Sequence, residues 1–179
     1  SDDPTVNNTR TSRTVTWAVT DANSDNVGAQ TSTGVTSTIN VTAVNDAPVV
    51  TAGATVGYTE QAAAVVIDNT ITIADVDDTQ ISGATVTIGS PVAGDTLNFT
   101  DQNGITGSYS GGVLTLSGTA TKAQYETALR SVTFSNASSD DPTVNNTRTS
   151  RTVTWAVTDA NSDNVGAQTS TGVTSTINV

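Results

Sequence analysis

Apolar residues in this chain alternate with polar ones far more often than they recur at helical spacing. In residues 151–158 (RTVTWAVT), Val153, Trp155 and Val157 alternate with Thr152, Thr154 and Ala156, the period of two that a half-buried strand requires. Residues 173–179 repeat the pattern, with Val173, Ile177 and Val179 on one face and Thr174, Thr176 and Asn178 on the other. Shorter candidate strands run over 64–74, 84–89, 96–100, 105–109, 113–117 and 131–135. Turn signals separate them at Asp68-Asn69, at 91–94, at Asn103-Gly104 and at Gly111-Gly112. Many short strands at such spacing predict an all-β sandwich rather than a helical or α/β fold. One stretch breaks the rhythm. Thr121-Lys122-Ala123-Gln124 is a capping box, and Ala123, Tyr125, Ala128 and Leu129 follow at helical spacing. A short helix is predicted over 122–130, packed across one edge of the sandwich.

Residues 1–41 recur letter for letter as residues 139–179, 138 positions further on. That period exceeds the 20–50 residues of a solenoid repeat and matches one whole domain. The expected organisation is residues 1–41 as the last strands of a preceding identical repeat, 42–48 as a linker, and 49–179 as a complete sandwich. Identical copying favours length and number over a unique active site. Alone, residues 1–41 would leave Val15, Trp17, Val19 and Ile39 uncovered, since two strands lack the buried face that independent stability requires.

Composition narrows the class. The chain has no Met, the mark of a piece cut from something longer, and no Cys or His, which removes disulfides, thiolate metal sites and the usual general base. Its net charge of −11, from 17 acidic against 6 basic residues, makes nucleic acid and anionic membranes poor partners. No apolar run approaches the length of a membrane span, so no membrane insertion is expected. The Thr/Ser/Val-rich, Lys-poor balance suits an extracellular β protein, with any secretion signal outside these residues.

Four short motifs fall in order along the chain. Residues 41–50 read Val-Thr-Ala-Val-Asn45-Asp46-Ala47-Pro48-Val-Val, a strand end and a polar stretch before a proline that extends the residue preceding it. Tyr58-Thr59-Glu60, Ala74-Asp75-Val76-Asp77 and Ala156-Val157-Thr158-Asp159 follow. In this order they resemble the linker and flanking marks of cadherin-like repeats, whose linker reads Asp-x-Asn-Asp-Asn-Ala-Pro. With residues 116–132 (LSGTATKAQYETALRSV), the chain more closely resembles the bacterial cadherin-like, Ig-like tandem repeats of giant secreted RTX-type adhesins. The resemblance covers about 42–179, and 1–41 as the tail of a predecessor.

The chemistry at stake is calcium binding. Asp75, Asp77 and Asp78 crowd three carboxylates into four residues, which repel unless a cation lies between them; Ca²⁺ takes 6–8 oxygens from carboxylates, amides, carbonyls and water. The resemblance implies Asp75 and Asp77 as ligands, Asp159 beside them, the Asn45 side-chain oxygen and the Ala47 carbonyl, with Asp46 and Asp78 in the same set. Glu60 would face the next linker. Ala43 and Ala47 stand where the linker has its first Asp and last Asn, which points to one or two ions rather than three. The bland alternative for 75–78 is a solvated turn. Residues 159–163 imitate the start of an EF-hand loop, but Asn164 stands where that loop needs Gly and Ser170 where it needs Glu, so they read as a hairpin loop lending Asp159.

The expected function is a structural extender, the stalk repeat of a cell-surface adhesin acting in adhesion or biofilm, rigidified by Ca²⁺ at its linkers. Its partners would be neighbouring repeats of the same chain. The alternatives are a fibre subunit that exchanges strands with other copies of itself, and a lectin-like module. Scarce aromatics (4%) weigh against a lectin site, and acidic groups confined to junctions and turns weigh against an enzyme.

Overall fold

The computed structural model describes residues 3–136 and 140–179; Ser1, Asp2 and residues 137–139, the last of which opens the second repeat copy, lie outside the described residues. The chain forms two compact units, Ser1–Val44 with Asp163–Val165, and Asn45–Ser162 with Gly166–Val179.

The first unit is one hairpin. β1 (Ser12–Trp17) and β2 (Val35–Asn40) pair antiparallel with Trp17 opposite Val35. A turn precedes them in which Val6, Asn7 and Asn8 are all left-handed (φ 55°, 53° and 58°). Such backbone is costly for residues other than glycine, and the Asp3 carboxylate offsets it by accepting the Thr5 N–H at 2.9 Å and that of Asn7.

The second unit is the all-β sandwich with one short helix that the alternation predicts. Its strands are β3 (Val49–Thr51), β4 (Thr55–Gly57), β5 (Val65–Val66), β6 (Thr72–Ala74), β7 (Gln80–Gly89), β8 (Asp95–Asn98), β9 (Thr106–Ser110), β10 (Val113–Thr121), β11 (Thr133–Asn136), β12 (Ser150–Asp159) and β13 (Val173–Asn178). The main sheet runs β4-β13-β12-β7-β10-β9, with β13–β4 its one parallel pair; β5-β11-β8 and β3-β6 form smaller sheets. Alternation on β12 turns Val153, Trp155 and Val157 inward, each fully buried, among Val86, Leu97, Leu116, Phe134 and Ile177. Each such side chain stabilises the fold by roughly 1.5–3 kcal/mol. Tyr58 meets Phe134 edge-on at 5.1 Å between ring centroids.

Helix α1 (Lys122–Arg130) carries the predicted capping box: the Thr121 hydroxyl accepts the Gln124 N–H at 3.2 Å, and Gln124 accepts the Thr121 N–H at 2.9 Å. Tyr125, Ala128 and Leu129 are buried, whereas Ala123 is exposed. Arg130 donates to the Ile71 carbonyl (2.7 Å) and Glu126 accepts the Ile73 N–H (2.9 Å), which ties the helix to β6.

The expected strand over 64–74 divides into β5 and β6, which join different sheets. Asp68 causes the break. Its carboxylate accepts the N–H and hydroxyl of Thr70 (2.9 and 2.7 Å) and the N–H groups of Gly53 and Ala54, so the backbone turns at a side chain 1% exposed. β10 runs past the expected 117 to Thr121 through a register shift at Gly118 (φ +127°), where a Cβ would stand 2.2 Å from the Gly104 carbonyl oxygen.

Candidate metal centre

Sheet register assembles the acidic cluster. Val49 of β3 lies opposite Ala74 of β6, so residues just before Val49 run beside those just after Ala74. The Asp46 N–H accordingly donates to Asp77 Oδ2 at 2.8 Å. On the neighbouring strands Asp159, the last inward residue of β12, lies opposite Ile81 of β7, just after Asp78. The Asp78 carboxylate accepts the Ser162 N–H (3.2 Å) and hydroxyl. Two sequence-distant loops therefore meet because two strand pairs hold them. All of these residues belong to the second unit.

Asn45 bridges the groups. Its Nδ2 donates to Asp159 Oδ2 (2.9 Å) and to the Gly166 carbonyl (2.7 Å), and its own carbonyl accepts from the Gln168 amide. With both amide protons engaged, Asn45 Oδ1 points elsewhere. Among the described residues, three buried side-chain oxygens lack a hydrogen-bond partner: Asn45 Oδ1, Asp75 Oδ2 and Asp77 Oδ1. Burying such groups unpaired costs free energy, about 1–3 kcal/mol each and more for a charge, so each asks for a partner. All three belong to residues that the sequence marks as ligands.

Electrostatics agree. Burial pushes the Asp75 carboxyl up to about 6, and the negatively charged Asp77 carboxylate beside it adds to this against the N–H groups of Asp77 and Asp78 that favour ionisation. Among the described residues Lys122, the chain's one lysine, forms no ion pair with the free oxygens. Its ammonium donates to the backbone carbonyls of Asp75 (2.8 Å) and Asp78 (2.7 Å), bracing the loop through its main chain.

The structure thus brings Asn45, Asp46, Asp75, Asp77, Asp78 and Asp159 together. Asp46 takes part through its N–H, its side chain being exposed. Ala47 lines an open cleft of about 370 Å³ with Asp46, Val49, Ala74, Asp75 and Val76. Asp159 and Asp78 are committed to donors: the former accepts from Asn161 (3.1 Å), Gln168 (2.9 Å) and Asn45, the latter from Ser162. Among the described residues no group of three or more carboxylates stands in metal-holding geometry, so the free oxygens are a mixed set of two carboxylates and an amide. Glu60 stands apart. It follows Tyr58, whose N–H donates to Asn178, and Asn178 lies opposite Ser150, nine residues along β12 from Asp159 and roughly 30 Å away at strand rise. The roles of Lys122, Ser162 and Gln168 escaped the sequence reading; a lone lysine opening a helix in an acidic chain is the signal that marked the first.

No protein-family model matches the chain, and no solved structure matches it significantly. Over 108 residues it is 37% identical to halomucin of Haloquadratum walsbyi, an alignment covering 55% of this chain and 1% of that protein. The chain spans about a hundredth of this relative, which is therefore a very long polypeptide. No helix among the described residues is long and apolar enough to cross a membrane.

Proposed function

We propose that the chain is a structural repeat of a long extracellular surface protein, a spacer that holds Ca²⁺ where the polypeptide enters its sandwich. The observation that carries this reading is that the three buried side-chain oxygens without a hydrogen-bond partner among the described residues, Asn45 Oδ1, Asp75 Oδ2 and Asp77 Oδ1, all belong to residues of this junction. The letter-for-letter repeat and the similarity to a stretch of a far longer protein support the spacer part. The surface location rests on that similarity together with the acidic, Cys-free composition. An adhesin stalk is the corresponding biological role.

Asn45 and the backbone of Asp46 hold the entering segment onto the sandwich, through Asp159 and Asp77 respectively. Asp75 and Asp77 would offer carboxylate oxygens to the ion, Asn45 its amide oxygen and Ala47 its carbonyl. Ca²⁺ there would supply the positive charge that the acidic pair lacks. Lys122, bonded to the main chain behind the loop, keeps these oxygens placed whether or not the ion is bound. Such a junction stiffens the point of entry, and a row of them would lengthen and straighten a multi-repeat chain. The test is thermal unfolding and small-angle scattering of the protein in EDTA and in millimolar Ca²⁺. A higher melting temperature with Ca²⁺ supports the reading; superimposable curves overturn it.

A further inference from the structure

Among the described residues the first unit's hairpin is a finished face without a partner, and its twin shows what the partner must carry. β1 and β2 keep the register of β12 and β13, residue for residue. Arg13 donates to the Arg10 carbonyl (2.7 Å) and to that of Pro4, as Arg151 does to Arg148 (2.8 Å) and Pro142 (2.6 Å). The face is therefore set before anything covers it.

What differs is chemical and specific. The Arg151 side chain, fully buried, pairs with Asp95 at 2.6 Å, whereas among the described residues Arg13 has no carboxylate in reach. Ser175 donates its hydroxyl to Asp68 at 2.7 Å, and Ser37 has no such acceptor among the described residues. Val35 and Ile39 are 67% and 52% exposed, while Ile177, the twin of Ile39, is fully buried. A complement must bring one carboxylate to Arg13, another to Ser37, an apolar surface to the Trp17 side, and strand edges to β1 and β2. Residues 42–138 supply all of these to the second hairpin, through Asp95, Asp68, β7 and β4.

We propose that the β1–β2 face is the docking site for a further copy of residues 42–138, carried ahead of the hairpin in the same polypeptide. A second complete molecule does not fit the role. Its own residues 140–179 already fill its acceptor, and displacing them would expose as much apolar face as the exchange covers while adding the entropic cost of association. Only an acceptor lacking its hairpin gains. The proposal rests on the repeat reading above but not on the ion.

The test uses two single-tryptophan forms of the protein, Trp155→Phe to report on Trp17 and Trp17→Phe to report on Trp155, mixed in EDTA with a separate polypeptide of residues 42–138. Expected are a one-to-one complex, a blue shift of Trp17 emission, amide protection across residues 12–17 and 35–40, and at least tenfold weaker binding after Arg13→Ala. If that polypeptide does not fold, a single chain with residues 42–138 copied ahead of Ser1 should shield Trp17 from acrylamide as well as it shields Trp155. A Trp17 that stays open to quencher in that chain overturns the proposal. So does a dimer of the 179-residue protein that protects Trp17 with no acceptor present. Loss of calcium binding would leave these results unchanged, so the two readings fail separately.

Discussion

Trp17 and Trp155 occupy the same place in the same sequence, and each donates its indole N–H to a serine twenty residues on, Ser37 at 3.1 Å and Ser175 at 3.0 Å. Yet Trp17 is 59% exposed and Trp155 is fully buried. The hairpin is thus local in origin, whereas burial of its face depends on what packs against it. One substitution made at both positions separates the two contributions. Trp155→Ala should cost about 3–5 kcal/mol of unfolding free energy, the range for removing a large buried aromatic. Trp17→Ala should stay within about 0.5 kcal/mol, as surface changes do. Denaturant unfolding of both variants checks this, and equal losses would contradict it.

The Arg151–Asp95 pair yields a parallel contrast. Asp95 also accepts from the Asn136 amide and the Val92 N–H, so Asp95→Ala strands a buried guanidinium and opens a network. The expected cost is about 3–5 kcal/mol. Arg13→Ala, which breaks no ion pair among the described residues, should cost well under that. Stability curves of the two variants decide the matter; a small effect at Asp95 would mean that the network relaxes around its loss.

At the proposed ion site, Asp75→Ala or Asp77→Ala should abolish most of the Ca²⁺-dependent stabilisation, read as the difference between the two buffers, on top of the ion-independent cost of losing the acceptors for the N–H groups of Asp77, Asp78 and Asp46. With a dissociation constant of about 10⁻⁴ M, the weak extracellular range, 10 mM Ca²⁺ should add about 2.7 kcal/mol to the unmodified protein. Asp163→Ala should leave that gain intact. Asp78→Ala should lower stability with or without Ca²⁺, because its carboxylate latches Ser162. Calorimetry in the two buffers separates these outcomes, and an Asp163→Ala loss equal to that of Asp77→Ala would place the site elsewhere.

Acid titration gives an independent reading. The Asp75 carboxyl sits near 6 when folded against 3.8 for the free side chain, so the folded state binds its proton more tightly. In EDTA that contribution is present below about pH 4, is lost as pH rises from 4 to 6, and stays lost above. Asp68 runs the other way: burial opposes its ionisation, but the N–H groups of Gly53 and Ala54 and the hydroxyls of Thr70 and Ser175 outweigh this and hold it well below the usual range. Its contribution is already complete above pH 5 and disappears in acid. The difference in stability between the unmodified protein and Asp75→Asn, measured from pH 4 to 7, should fall through pH 5 and level off. Ca²⁺ affinity should rise over the same interval, because the ion displaces the proton. A flat difference would show that Asp75 is not proton-bound in the folded protein.

The sequence by itself determined everything that depends on neighbours along the chain. Alternation specified β12 and β13, the capping box placed α1 at Lys122–Arg130, and identical residues built identical hairpins, even to the three left-handed positions at Val6–Asn8 and Val144–Asn146. The acidic motif was legible because three carboxylates within four residues need an explanation. Tertiary structure decided the rest. Asp68 divides one expected strand because the N–H donors its carboxylate binds lie on Gly53 and Ala54, 15 and 14 residues away. Lys122 braces a loop more than 40 residues distant, and Glu60 falls at the far end of the sheet from Asp159. Local pattern sets which face of a strand is apolar, because side chains alternate with period two. It cannot say whether that face is covered, because burial is a contact with residues elsewhere in the chain. Arg13 and Arg151 have the same sequence around them, and only Arg151 has Asp95.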